Sequence, residues 1–240
     1  MKRFCSLSVA VLATAVLSAC GGGSGSVAGS TTSYAVGAAW ENLYLGGYSW
    51  ALQGTTTWQP SGAAPTYYDT TASLRLKTMP DAEFKGNGIR GHVLNSLLTI
   101  AIPGYTPTTS TNDLYLDANL AYMGSVNEET GYCEIVSPAA HPVPASAYIG
   151  SSGVLEQFTM YENCNAGAAV LATGNMHWSV EQQAGQVFFC LNTNTFYADS
   201  SDSEKDCTAI DPWGTIGSTA NVTQTSTSSA GLWSMSLTTP

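Results

Sequence analysis

Positive charge is scarce in this chain: seven Lys and Arg stand against seventeen Asp and Glu over 240 residues, and charged side chains make up only 10% of the total. A surface of that sign repels phosphate backbones and anionic headgroups, so nucleic acid is excluded as a partner, and so is electrostatic docking of the folded part on a membrane. Solvent-facing helices carry a stripe of Lys and Glu, so the shortage also argues against a helical fold. Histidine occurs three times, at His92, His141 and His177, with neither an H-E-x-x-H nor a G-x-S-x-G motif. Close Cys-x-x-Cys spacing is missing too, which leaves no local signature for zinc. The longest apolar run, Phe4 to Leu17, stops at Gly21-Gly22-Gly23 before reaching the roughly twenty residues of a spanning helix.

That run follows Lys2 and Arg3 and leads through small residues to Cys20, which is the layout of a secretory signal. Leu17-Ser18-Ala19-Cys20 resembles the lipobox of bacterial lipoproteins. The resemblance covers the signal alone and implies cleavage before Cys20, a thioether diacylglyceryl group on its sulfur and usually an N-acyl chain such as palmitate. In that family Gly21, rather than Asp, after the cysteine favours sorting to the outer membrane, with the domain facing the periplasm or the outside. Anchoring through several acyl chains, at about 0.8 kcal/mol per buried CH₂, is effectively permanent. Glycine and serine dominate from Gly21 to Ser33, a flexible coil of roughly 20 Å r.m.s. span. The chain therefore divides into a signal peptide (1–19), a lipidated Cys20 with its Gly/Ser tether (20–33) and a folded domain (34–240). Without the signal, five basic residues remain and the formal charge is about −12.

Four cysteines are left for the folded part, an even number that in an exported protein reads as two disulfides. Sequential pairing, Cys133 with Cys164 and Cys190 with Cys207, is favoured because neighbouring β segments tend to pair. Trp40, Leu43 and Tyr44 share i, i+3, i+4 spacing, which predicts one short N-terminal helix over 36–45, stopped by Gly46-Gly47. Beyond it the period changes to two. Leu74 and Leu76 alternate with Ser73, Arg75 and Lys77; Leu98, Ile100 and Ile102 form a second face; and Leu114 to Tyr122 reads as one strand. Met176, Trp178 and Val180 begin a hairpin that returns through the apolar run Val187 to Leu191, and Trp233, Met235 and Leu237 form a last strand. The expected fold is mainly β, a single antiparallel sandwich or barrel of about nine to eleven strands.

Candidate chemistry is sparse. Asp199, Asp202, Glu204 and Asp206 crowd into eight residues and read as an acidic loop closed by the Cys190 to Cys207 bridge; hard oxygen ligands of this kind could hold Ca²⁺, although the EF-hand order is not met. Tyr67 and Tyr68 follow a Pro-Gly-rich turn, and exposed aromatics there could bind a carbohydrate or a protein partner. The reading favoured by sequence is a membrane-anchored cell-envelope lipoprotein whose β domain binds or supports something without catalysis. Two alternatives stay open: an envelope hydrolase with a histidine and a carboxylate, and a barrel carrying an apolar ligand.

Overall fold

The computed structural model describes residues 32–137 and 140–240. The signal peptide, Cys20 and the tether as far as residue 31 lie outside the described residues. A two-residue strand, β1 (Ser33–Tyr34), leads into helix α1 (Val36–Gly46), and thirteen further strands follow. These are β2 (Tyr48–Pro60), β3 (Thr66–Phe84), β4 (Ile89–Ala101), β5 (Thr108–Leu116), β6 (Tyr122–Asn127), β7 (Cys133–Val136), β8 (Ala147–Tyr148), β9 (Ser152–Tyr161), β10 (Val170–Gln183), β11 (Gln186–Tyr197), β12 (Ser200–Ile210), β13 (Ile216–Ser228) and β14 (Gly231–Thr238). Twelve of them form a closed antiparallel barrel in which β14 pairs with β2 and β7 with β9, while β1 and β8 make a separate two-stranded ribbon.

The barrel has more strands than the nine to eleven expected, for three local reasons. The acidic run is a strand, not a loop: β12 pairs along its length with β11 and β13. The stretch Leu114 to Tyr122 is not one strand, because Asp117 turns the chain, its carboxylate accepting from the Asn119 and Ala121 N–H groups, and β6 starts only at Tyr122. Strand β13 is so rich in Thr and Ser on both faces that it shows little alternation. Both disulfides join the expected partners, Cys133 to Cys164 and Cys190 to Cys207. The second links residues that stand directly opposite on β11 and β12. Paired cysteines of this kind fit an oxidising, extracytoplasmic compartment.

Eight strands enclose a lumen that side chains can just fill, and twelve enclose more than side chains alone can close. Here α1 makes up part of the difference. Its Val36, Ala39, Trp40, Leu43 and Tyr44 form one buried face, packed into the main core with Trp50, Leu94, Phe189 and Val222 from the barrel wall. An isolated helix of eleven residues is marginal, and this one has no side-chain N-cap, so tertiary packing holds it. Trp40 Nε1 donates to the Leu120 carbonyl at 2.8 Å, and Asn42 Nδ2 donates to the Gly214 carbonyl at 3.0 Å. Gly214, at φ 81°, lies so close to the helix that a Cβ there would sit 2.4 Å from the Ala35 carbonyl. The turns at 117–121 and 211–215 share one end of the barrel, the base, which α1 covers. The opposite end, the mouth, is formed by the turns at 61–65, 102–107, 128–132, 162–169, 198–199 and 229–230.

The outer face is built for water. Ser49, Gln53 and Thr55 on β2, Ser73, Arg75 and Lys77 on β3, and Thr223, Thr225 and Thr227 on β13 face outward, the reverse of a lipid-facing barrel. No helix among the described residues is long and apolar enough to cross a membrane.

Candidate functional site

Above the helix the lumen stays open as a cavity of about 340 Å³ that reaches from Tyr44 on α1 to Thr130 and Tyr132 at the mouth. Strand parity places its carboxyls. On β12 the inward positions are Asp202, Glu204, Asp206 and Thr208, while Lys205 and Cys207 point outward; Glu204 and Asp206 line the cavity together with Glu134 from β7. Tyrosines Tyr44, Tyr122, Tyr132 and Tyr197 and the thioethers of Met160 and Met176 complete much of the wall. Among the described residues no Lys, Arg or His lines it.

These carboxyls are electrostatically uncomfortable. Burial raises Glu134 to about 7, against a hydrogen bond donated by the Tyr122 hydroxyl at 3.0 Å that favours the charged form. Glu204 and Asp206 share a hydrogen bond. Burial raises both, and the Glu204 charge and this bond push Asp206 well above the usual carboxylate range. Both keep partial contact with the cavity, so it is their depth in a low-dielectric wall, not complete enclosure, that disfavours the charge. Burial also raises the Tyr122 hydroxyl, and the charges of Glu134 and Glu156 add to it.

Glu156 lies beside this group. Between β9 and β10 the register passes from Met176 opposite Glu156 to His177 opposite Val154, a bulge that turns both Leu155 and Glu156 into the barrel. Glu156 is 1% exposed, and neither carboxyl oxygen has a hydrogen-bond partner in the protein. Burial first, and the Glu134 charge second, keep it protonated well above the usual range.

Below the cavity and against the helix is a smaller chamber of about 100 Å³, walled by Leu43, Trp50, Leu74, Leu76, Leu94 and Phe189. Tyr44, Ser96, Leu114, Leu191 and Asp206 line both spaces, so Asp206 stands at their junction.

The residues singled out by sequence fall in different places. Glu204 and Asp206 line the cavity, Asp202 precedes them on the same face, and Asp199 lies in the mouth turn between β11 and β12. Among the described residues no three His, Cys, Asp or Glu side chains are grouped as a metal site. Tyr67 is 68% exposed, and Tyr68 meets Tyr105 edge-on with ring centroids 5.7 Å apart. Of the histidines, His92 pairs with Asp81 at 3.0 Å, His141 donates its backbone N–H to the Leu155 carbonyl in the strap leading to β9, and His177 alternates with the inward Met176 and Trp178. They do not converge. Sequence reasoning missed Glu134, Glu156, Tyr44 and Tyr122. The available signal was one acid set in each of two short apolar strands, Cys133-Glu134-Ile135-Val136 and Val154-Leu155-Glu156.

Comparison of the chain with protein-family models, with curated proteins and with solved structures gives no match.

Proposed function

We propose that this chain is a lipid-anchored envelope protein whose barrel binds a small polar solute, without chemistry, in a lumen entered from the mouth. The observation that carries the reading is the one-ended lumen: α1 fills the base, and a cavity lined by carboxyls, amides and tyrosines leads to the other end. Closed barrels of this width are natural containers, and a pocket of several hundred Å³ suits a small molecule.

The anchor fits the same picture. Ser33 and Tyr34, near the start of the described residues, pair with β8 at the base, where the tether from Cys20 joins the domain. A barrel of this strand length is roughly 30 Å tall, so the tether holds the base near the bilayer and the mouth in the aqueous phase. A polar lining facing water favours a dissolved ligand over one drawn from the membrane. Scattered histidines favour binding over hydrolysis.

Two variants test this reading. Cys20→Ala should move the protein from the detergent phase to the aqueous phase, and Ser96→Phe should fill the lumen. A screen of amines, amino acids and sugars by thermal shift should find solutes that stabilise the parent protein and not Ser96→Phe. Unchanged partition of Cys20→Ala would overturn the anchor, and stabilisation that survives Ser96→Phe would overturn the lumen as the site.

A further inference from the structure

The two chambers differ in chemistry, and their boundary suggests what kind of solute fits both. The outer one presents Glu134, Glu204 and Asp206 with no side-chain cation among the described lining residues. The inner one is mostly apolar, with Tyr44, Ser96, Asp206 and Thr208 as its polar residues. Thr208 is only 7% exposed, and its hydroxyl has no hydrogen-bond partner in the protein, although it lies on the chamber wall. Buried polar groups are nearly always satisfied, so a hydroxyl left over beside this chamber points to a ligand that completes it.

Resting on the reading of the lumen as a binding site, we propose that its ligand is a small aliphatic amine carrying a second polar group. Its ammonium sits among Asp206, Glu204 and Glu134, its short chain lies between Leu43, Leu74 and Leu94, and its far polar atom bonds to Thr208 Oγ1. Each part is matched by a specific feature. An ammonium supplies the charge that the carboxyls lack, and Tyr44 and Tyr122 line the same wall. A chamber of about 100 Å³, smaller than the roughly 150 Å³ cavity known to hold benzene, has room for no more than a short chain of about four carbons. Ca²⁺ would need six to eight converging oxygens and would leave the apolar chamber unused. A neutral sugar would leave the acids uncompensated.

Calorimetry on the detergent-solubilised full-length protein at pH 8 tests the assignment with 4-amino-1-butanol, n-butylamine, 1-butanol, sodium butyrate and CaCl₂ as probes. Both amines should bind, the amino alcohol about fivefold more tightly, as one further hydrogen bond gives. Butanol and butyrate should give no heat. Asp206→Asn should weaken both amines at least tenfold, while Thr208→Val should remove the amino alcohol's advantage and leave butylamine unchanged. Equal binding of butylamine and butanol, amine binding indifferent to Asp206→Asn, or binding of Ca²⁺ in place of the amines would overturn the proposal. If butanol or butyrate binds alone and Ser96→Phe abolishes it, the amine assignment fails while the lumen reading stands. If no probe binds and the broader solute screen is also silent, both fail.

Discussion

At the scale of single residues, the carboxyls of the lumen govern how the protein responds to pH. Glu134 titrates near 7 in the fold against an ordinary 4.5, so between those values the folded state holds a proton that the unfolded chain has released. The sign follows: its protonated form stabilises the fold fully below about pH 4.5, and that contribution is lost as pH rises through 7. The loss is on the order of 3 kcal/mol for this one group. Glu134→Gln keeps an acceptor for the Tyr122 hydroxyl and removes the titration. Its urea midpoint should equal that of the parent protein near pH 4.5 and exceed it at pH 8; parallel curves across this range would show that Glu134 is not the group responsible. Little of this was legible in sequence. A lone acid in a short apolar strand looks like any surface residue until its parity with neighbouring strands is known, and the bulge that turns Glu156 inward leaves no mark in the residue pattern.

At the scale of elements, the reading succeeded where one face differed from the other and failed where it did not. Strands β3, β4 and β14 alternate apolar and polar residues and were found; so was α1, within one residue of its observed end. Strand β12 alternates too, but acidic with polar, because its inward face meets a wet lumen and not a dry core. Period-two reasoning looks for apolar residues, so a strand lining a polar cavity reads as a loop. The helix is the element on which the site depends most. Trp40 is 6% exposed and bonded to Leu120, so Trp40→Ala should cost about 3–5 kcal/mol and loosen the base. Hydrogen exchange should then quicken in α1 and in the turns at 117–121 and 211–215 before the β10–β11 hairpin is affected. Uniform acceleration across the barrel would mean that the helix is part of the wall's cooperative unit and not a separate plug.

For the whole molecule, strand number sets the rest. A twelve-stranded closed sheet must fill its interior, and this chain does so with a helix at one end and a cavity at the other. Sequence left sandwich and barrel open because both need the same alternation; closure depends on the pairing of β14 with β2, segments at opposite ends of the folded chain. Two methionines, Met160 and Met176, line the cavity, whereas Met79, Met123 and Met235 do not. They provide the most direct check on the central claim. In NMR spectra of the methyl-labelled protein, titration with 4-amino-1-butanol should shift the Met160 and Met176 methyl signals saturably and leave the other three in place. Saturable shifts confined to Met79 or Met123 would contradict the lumen as the binding site, and none at any methionine would contradict an amine-binding lumen.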